Sequence, residues 1–194
     1  MLTDSSYIIA SFADHFKLEA IVKENLSREK VYGRKDKHTR NRLQLKGTEE
    51  GRDIYGKDIW VNILNERLIQ YKERGIEYIF ITDVRFPNEV EYVKNNNGVI
   101  IRIEAEDRHD QAMIIENGQD INILSHSSET SLNDIKYDYI INNSIENAPY
   151  VADEVRNICL KIKNKLKFQM TVFCDLDDTI VECKINYLDI CEKV

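Results

Sequence analysis

With 194 residues, 42% hydrophobic and 31% charged, the chain suits one α/β domain with a small appendage and is too apolar for wholesale disorder. A formal net charge of -7 repels polyanions and argues against a protein that coats DNA or RNA, while a few local arginines can still capture one phosphate. No apolar run approaches a membrane span, and Met1 to Asp4 lacks the basic and apolar regions of a signal peptide, so a cytoplasmic protein with no membrane partner is expected.

Tyr7 to Phe12 is a short apolar, β-branched run that predicts a buried strand, and Asp14 to Asn25 follows with helical spacing through Phe16, Ala20 and Ile21. From Ser27 to Thr48 the chain carries Arg28, Lys30, Arg34, Lys35, Lys37, Arg40, Arg42 and Lys46, a basic block whose simplest reading is a solvated helix face. Ile59 to Arg74 places Ile59, Ile63, Leu64, Leu68 and Tyr71 on one helical face and ends at Gly75, a suitable C-cap. Tyr78 to Thr82 is a continuous apolar run that stops at Asp83, as in a strand buried on both faces of a parallel sheet. Asp83 therefore falls at a strand's carboxyl end, where open α/β sheets bind ligands.

Asn88 to Asn96 predicts a helix, Gly98 a turn and Val99 to Ile103 another buried strand. Glu104 to Ser131 is polar and weakly periodic and reads as a long excursion or lid. Tyr137 to Ile141 predicts a last short strand, and Ala148 to Lys167 a helix facing inward through Val151, Val155, Ile158, Cys159 and Ile162. Strands alternating with helices predict an α/β fold built as a doubly wound parallel sheet with helices on both faces. After Lys167 the pattern restarts with a strand at Thr171 to Cys174, so a boundary is expected between residues 1–167 and 168–194. Four cysteines, Cys159, Cys174, Cys183 and Cys191, form no CxxC pair, and neither zinc nor a disulfide framework is indicated.

The sharpest cluster of chemistry is Thr82 to Glu89, which puts Asp83, Arg85 and Glu89 just beyond a buried strand. Arg85 can grip a phosphate with two parallel N–H donors, and Asp83 can hold magnesium-bound water or orient an attacking oxygen. The structural alternative is a turn in which Arg85 pairs with Glu89 across a helix start. A second element runs from Leu43 to Arg52, followed by Asp58 and Trp60; its glycines let the backbone turn closely around a ligand, Glu49 can accept from a base or sugar, and Arg52 can neutralise phosphate. A glycine-bracketed helix cap explains that element equally well.

The order of motifs resembles the deoxynucleoside monophosphate kinase family of phages and viruses. The resemblance rests on FAD-x-x-K (Phe12 to Lys17), TRN-x-LQ-x-x-GTE-x-x-R (Thr39 to Arg52), D-x-W (Asp58 to Trp60), DVRFPNE (Asp83 to Glu89), a strand ending in Arg102 and Ile103, H-x-S-E-T (His126 to Thr130) and Asn142-Asn143. It covers about residues 7–163. It implies a P-loop kinase fold that moves the γ-phosphate of ATP, with magnesium, onto a small-molecule nucleotide, without a nucleic-acid polymer as partner; a homodimer stays open, and for a viral protein the compartment is the host cytoplasm. It further implies that Asp14 and Lys17 lie near the phosphates, and that Asp83, here also a magnesium ligand, acts with Arg85 as the catalytic pair. Glu49, Arg52, Trp60 and Glu89 would bind substrate, Arg102, Arg108, His126, Ser128 and Glu129 would belong to the strand end and lid, and Asn142 and Asn143 would approach the base.

The chain departs from that family at its start. Such kinases open with a strand, a G-x-x-x-x-G-K loop and a helix, and here only Met1 to Ser6 precede the first strand, so the expected fold lacks the first strand-loop-helix. One such spacing exists, Gly51 to Lys57, but no buried strand leads into it and Asp58 stands where Ser or Thr is usual. Without a nest of backbone N–H groups and a lysine, transition-state charge on the β- and γ-phosphates goes unanswered, and weak or absent transfer is expected from this chain alone. The alternatives are a non-catalytic nucleotide-binding or scaffold domain, or part of a kinase-phosphatase fusion. The last of these draws on Thr171 to Thr179, which resembles the opening strand and D-x-D-x-T loop of haloacid dehalogenase-like phosphatases; that resemblance implies Asp175 as nucleophile, Asp177 as general acid and base, and magnesium between them.

Overall fold

The computed structural model describes residues 7–33, 35–105, 131–132, 135–165 and 171–174. These belong to two compact units, one drawn from residues 10–74 and the other from residues 1–9 and 75–194. The described residues mix helices with short parallel sheets, in keeping with the expected α/β class.

The first unit is helical. Its helices are α1 (Asp14–Glu24), α2 (Arg28–Tyr32), α3 (Lys37–Gly47), α4 (Asp53–Tyr55) and α5 (Ile59–Glu73), with one turn of π-helix, Thr48–Arg52, between α3 and α4. Ser11 ends the preceding strand two residues earlier than its apolar pattern predicts. Its Oγ accepts from Ala13 N–H at 3.1 Å and its own N–H donates to Asp14 Oδ2 at 3.2 Å, so local side-chain bonds turn the backbone into α1. Helix α1 closes on Asn25 in the left-handed region at φ 56°, a position asparagine tolerates. Helix α3 starts at Asp36, whose carboxylate accepts from Thr39 N–H at 2.8 Å. Ala20, Val31 and Leu43 form the shared core of α1, α2 and α3, with Phe16, Ile21 and Leu26 packed around them.

The basic block is not one solvated face. It spans α2 and α3, and part of it is engaged in ion pairs. Arg42 clasps Glu24 with Nε and Nη2, at 2.6 and 2.7 Å, and Glu50 with Nη1 and Nη2, at 2.6 and 3.0 Å. Lys46 adds a contact to Glu24 at 3.0 Å, and Lys23 pairs with Glu19. These pairs tie α1 to α3 and to the π-turn, and the fork geometry of a guanidinium suits two bidentate carboxylates. Helix α5 buries Leu64 and Leu68 of the predicted stripe together with Trp60 and Val61, while Ile59, Ile63 and Tyr71 are half-buried. The Trp60 indole fills the space beside Gly51.

The second unit holds the strands β1 (Tyr7–Ala10, its last residue falling in the helical unit), β2 (Tyr78–Ile81), β3 (Val99–Glu104), β4 (Tyr139–Asn142) and β5 (Thr171–Cys174). β1 pairs with β2, and β4, β3 and β5 form a three-stranded sheet in that order. β3 runs parallel to both neighbours, with Ile101 opposite Tyr139 on one side and Phe173 on the other. β5 also lies against β2, so the strand expected to open a second domain sits beside both β2 and β3. Helix α6 (Pro87–Asn95) packs on β3, and α7 (Val151–Lys165) lays Val151, Val155, Ile158 and Ile162 on Ile101 and Ile141. The first turn of the predicted terminal helix, Ala148–Tyr150, is a tighter 3-10 turn containing Pro149. In β2 the buried residues Ile79 and Ile81 share one face while Tyr78 and Phe80 are half-buried, whereas in β3 the adjacent Ile100 and Ile101 are both fully buried.

Two outcomes follow for stability. Arg42 lowers the pKa of Glu24 and Glu50 chiefly through its hydrogen bonds, and Lys23 does so for Glu19. Because these folded-state values lie below the ordinary 4.5, their contribution is full above that pH and is lost as pH falls through the lowered values. Urea titration of Arg42→Ala should show about 1 kcal/mol less stability at neutral pH and a shallower loss between pH 5 and 3 than the parent. In the sheet unit, a chain ending at Lys167 leaves one edge of buried β3 without its ladder. Its stability is expected to fall by about 3 kcal/mol, seen as a lower urea midpoint, since each buried backbone hydrogen bond lost costs about 1 kcal/mol.

Candidate functional site

At the carboxyl end of β2 the chain turns through Thr82, Asp83, Val84, Arg85 and Phe86 before α6 begins. Val84 is fully buried and pins the turn to the core, while Asp83 and Arg85 on either side of it are half-buried. Glu89 is only 2% exposed, and its Oε2 accepts from the N–H of Arg85 at 2.7 Å and of Phe86 at 3.1 Å. This is the reaching-back half of a capping box, reinforced by Pro87 at the first helical position. Glu89 thus contributes as a backbone clamp on the Asp83–Arg85 turn. A rigid turn of this kind presents its side chains at a strand end with little freedom to lose on binding.

Arg102 and the two asparagines lie at the ends of β3 and β4. Arg102 is held from two sides: Nε lies 3.0 Å from Glu104 Oε1, and its guanidinium stands 5.1 Å above the ring of Tyr137 with Nη1 3.3 Å from the phenol oxygen. Tyr137 is fixed in turn by donating to the carbonyl of Leu132 at 2.5 Å. Neither Glu104 nor Tyr137 was singled out as a site residue, and no local pattern could have done so, because their partnership with Arg102 exists only once β3 is flanked by the approach to β4. Asn142 Oδ1 accepts from Ser144 N–H at 2.9 Å, and Asn143, 3% exposed, donates its N–H to Glu104 O at 2.6 Å. Both asparagines therefore shape the turn that leaves β4.

In the helical unit Asp14 takes part in the Ser11 turn and lies 3.9 Å from Arg67 Nη1, and Lys17 holds its ammonium 5.6 Å from the centre of the Tyr32 ring. Trp60 is 6% exposed, donates Nε1–H to Gly47 O at 2.7 Å and packs on Phe16 at 5.0 Å between ring centres. A Cβ on Gly51 would sit 2.3 Å from the Trp60 ring and 2.7 Å from Lys46 O, so the glycine of the GTE-x-x-R element makes room for an indole. Arg52 donates from Nη1 to Lys57 O at 2.7 Å, and Glu49 is exposed on the π-turn.

The Gly51–Lys57 spacing does not form a phosphate cradle. Its residues run through the π-turn and α4, where Asp53 N–H donates to Thr48 O and Gly56 N–H donates to Arg52 O. Backbone N–H groups already spent inside a helix cannot converge on a phosphate, so this segment does not fit a triphosphate loop. Among the described residues no group of three or more His, Cys, Asp or Glu gathers into a metal site, and no helix is long and apolar enough to cross a membrane. Arg108, His126, Ser128, Glu129, Asp175 and Asp177 lie outside the described residues, as does nearly all of the Glu104–Ser131 excursion.

The chain is similar to a known nucleotide kinase. Over 138 residues it is 30% identical to a deoxynucleoside-5'-monophosphate kinase of Escherichia phage T5. The match covers 71% of this chain and 46% of that protein, so the chain spans about half the length of this relative. No protein-family model and no solved structure matches. The similarity supports the nucleotide kinase resemblance at the level of the family.

The clamp on the Asp83–Arg85 turn has a measurable consequence. Glu89→Ala should lower unfolding free energy by about 3 kcal/mol in urea, because two charge-assisted hydrogen bonds are lost in a buried place. Glu89→Gln keeps an acceptor oxygen and should recover a substantial part of that loss; equal losses for both variants would remove the carboxylate's clamping role.

Proposed function

We propose that this chain is a deoxynucleoside monophosphate kinase-like protein whose sheet unit binds a nucleoside monophosphate at the carboxyl end of β2. The observation that carries the reading is the clamped turn with Asp83 and Arg85 at that strand end, and the similarity to the phage T5 enzyme supports it. Arg85 takes the monophosphate, offering paired N–H donors that match two phosphate oxygens. Asp83 orients the attacking oxygen, and Asn142 and Asn143 lie toward the base. In this reading β1 to β5 belong to one doubly wound parallel sheet.

ATP is the donor and magnesium the cation that such transfer uses, magnesium supplying charge neutralisation between the phosphates. One carboxylate, Asp83, fits magnesium's preference for few protein ligands and several waters. The triphosphate is a different matter: the Gly51–Lys57 spacing does not fit it, since residues 51–55 are helical. That observation favours a second reading, a domain that captures a nucleotide without transferring phosphate. Residues 168–194 would in either case open a phosphatase-like segment.

Calorimetry of the whole chain with each deoxynucleoside monophosphate tests the site. Arg85→Ala should weaken monophosphate binding by about tenfold or more, the value of a charge-assisted bidentate contact. Unchanged affinity in Arg85→Ala would refute the assignment. Heat with the monophosphate and none with ATP and magnesium would select the second reading over the first.

A further inference from the structure

In the sheet unit β2 and β3 are consecutive strands joined by α6, yet among the described residues they do not pair: β2 pairs with β1, and β3 with β4. The strand beside both of them is β5, which comes after every other described element of the unit. It runs parallel to β3 on the side away from β4. Val99 stands opposite Thr171, Ile100 opposite Val172, Ile101 opposite Phe173 and Arg102 opposite Cys174. β2 and β3 therefore border a groove one strand wide, about 10 Å between their axes at the usual strand spacing.

The walls of this groove demand an extended occupant. Ile79 and Ile81 of β2 and Ile100 and Ile101 of β3 are buried, so backbone N–H and C=O groups facing the groove have little water to turn to. Only another strand supplies donors and acceptors along the whole edge. Thr171-Val172-Phe173-Cys174 suits that place, with β-branched and aromatic residues and neither charge nor proline. The walls also have supports of their own. β2 keeps β1, β3 keeps β4, and Phe80 of β2 packs on the same cluster as Ile101, Ile141 and the inward residues of α7. Withdrawal of β5 breaks its own ladders and leaves those pairings in place, as for a segment that opens at lower cost than the whole unit.

We infer that the groove between β2 and β3 accepts β5 from a second copy of the chain in exchange for its own, giving a strand-exchanged dimer. The groove itself specifies this partner: the segment seated there in one chain fits the identical groove of another, in the same register and with the same hydrogen bonds. Exchange therefore alters few contacts, and protein concentration sets the balance between closed monomer and exchanged dimer. It is reciprocal, so each copy fills the other's groove, as a closed two-fold assembly requires. The inference does not depend on what the Asp83–Arg85 turn binds.

Cysteine cross-linking of the whole chain tests the exchange. Register partners in adjacent strands stand close enough for a disulfide, so Val99→Cys and Thr171→Cys in one chain should close within that chain and show β5 docked on β3. When a tagged Val99→Cys chain is mixed with an untagged Thr171→Cys chain, these two positions meet only if β5 of one copy reaches β3 of the other. As a control, Glu154→Cys, at an exposed position of α7, takes the place of Val99→Cys. The mixed disulfide should exceed that control by about tenfold or more, because strand pairing raises the effective concentration of the two thiols. Its fraction should also rise as both chains are concentrated. A mixed disulfide no more abundant than the control, while the double variant closes within one chain, overturns the exchange. Failure of the double variant to close overturns it too, since β5 would then not be the occupant of the groove.

Discussion

A buried carboxylate that closes on backbone N–H groups sets the geometry of the sheet unit's strand end. Glu89 lies where strand β2 gives way to a helix, a step that leaves polar backbone groups in a place with little water. By accepting from Arg85 and Phe86 it satisfies two of them and fixes the direction in which Asp83 and Arg85 leave the core. Fully buried Val84 holds the same turn from beneath. A carboxylate committed to backbone donors is poorly available to an outside phosphate or metal. Within the DVRFPNE run, Glu89 and Val84 thus build the turn that carries the half-buried Asp83 and Arg85.

This division shows what the sequence could disclose and where it stopped. The buried strands were legible because Tyr78 to Ile81 and Val99 to Ile101 are continuous apolar runs, and each strand's end shifted by only one residue. The early end of β1 was not legible from hydrophobicity, since Ser11 and Phe12 continue the pattern; side-chain bonds of Ser11 and Asp14 decide it. In α5, Leu64 and Leu68 were legible, but periodicity alone gave Ile59 and Ile63 equal standing with them. The burial of Trp60 against Gly51 joins residues of the π-turn and α5 and is visible only after folding. Likewise the stacking of Arg102 on Tyr137 joins residues that no spacing rule connects.

The same contrast applies to the basic block. Read as a string, its cations look alike, and a solvated face is the economical reading. Folded, Arg42 carries two carboxylates in bidentate pairs and Lys46 is largely covered, whereas Lys30 pairs with Asp36 in an exposed place. Arginine and lysine content could not predict this, because the decision depends on which acidic residues of α1 and of the π-turn reach each cation. Glu24 and Glu50 reach Arg42. The acid nearest Arg67, Asp14, is already committed to Ser11.

The helical start of the Gly51–Lys57 segment bears on the meaning of the GTE-x-x-R motif. A phosphate loop needs glycines so that backbone N–H groups can converge on oxygen, while here Gly51 is needed because a tryptophan ring occupies the space a Cβ would take. Glycine is required in both cases, and sequence alone does not separate them. The packing explanation accounts for Gly47 too, whose carbonyl receives the Trp60 N–H and whose Cβ would meet the Phe16 ring at 3.2 Å. The Trp60 indole accounts for Gly51 and the Phe16 ring for Gly47, D-x-W becomes the partner of GTE-x-x-R, and the pair anchors the helical unit through Trp60. Any triphosphate-binding role must then rest on residues other than these, which is why the proposed monophosphate site is built from the β2 turn and its single guanidinium.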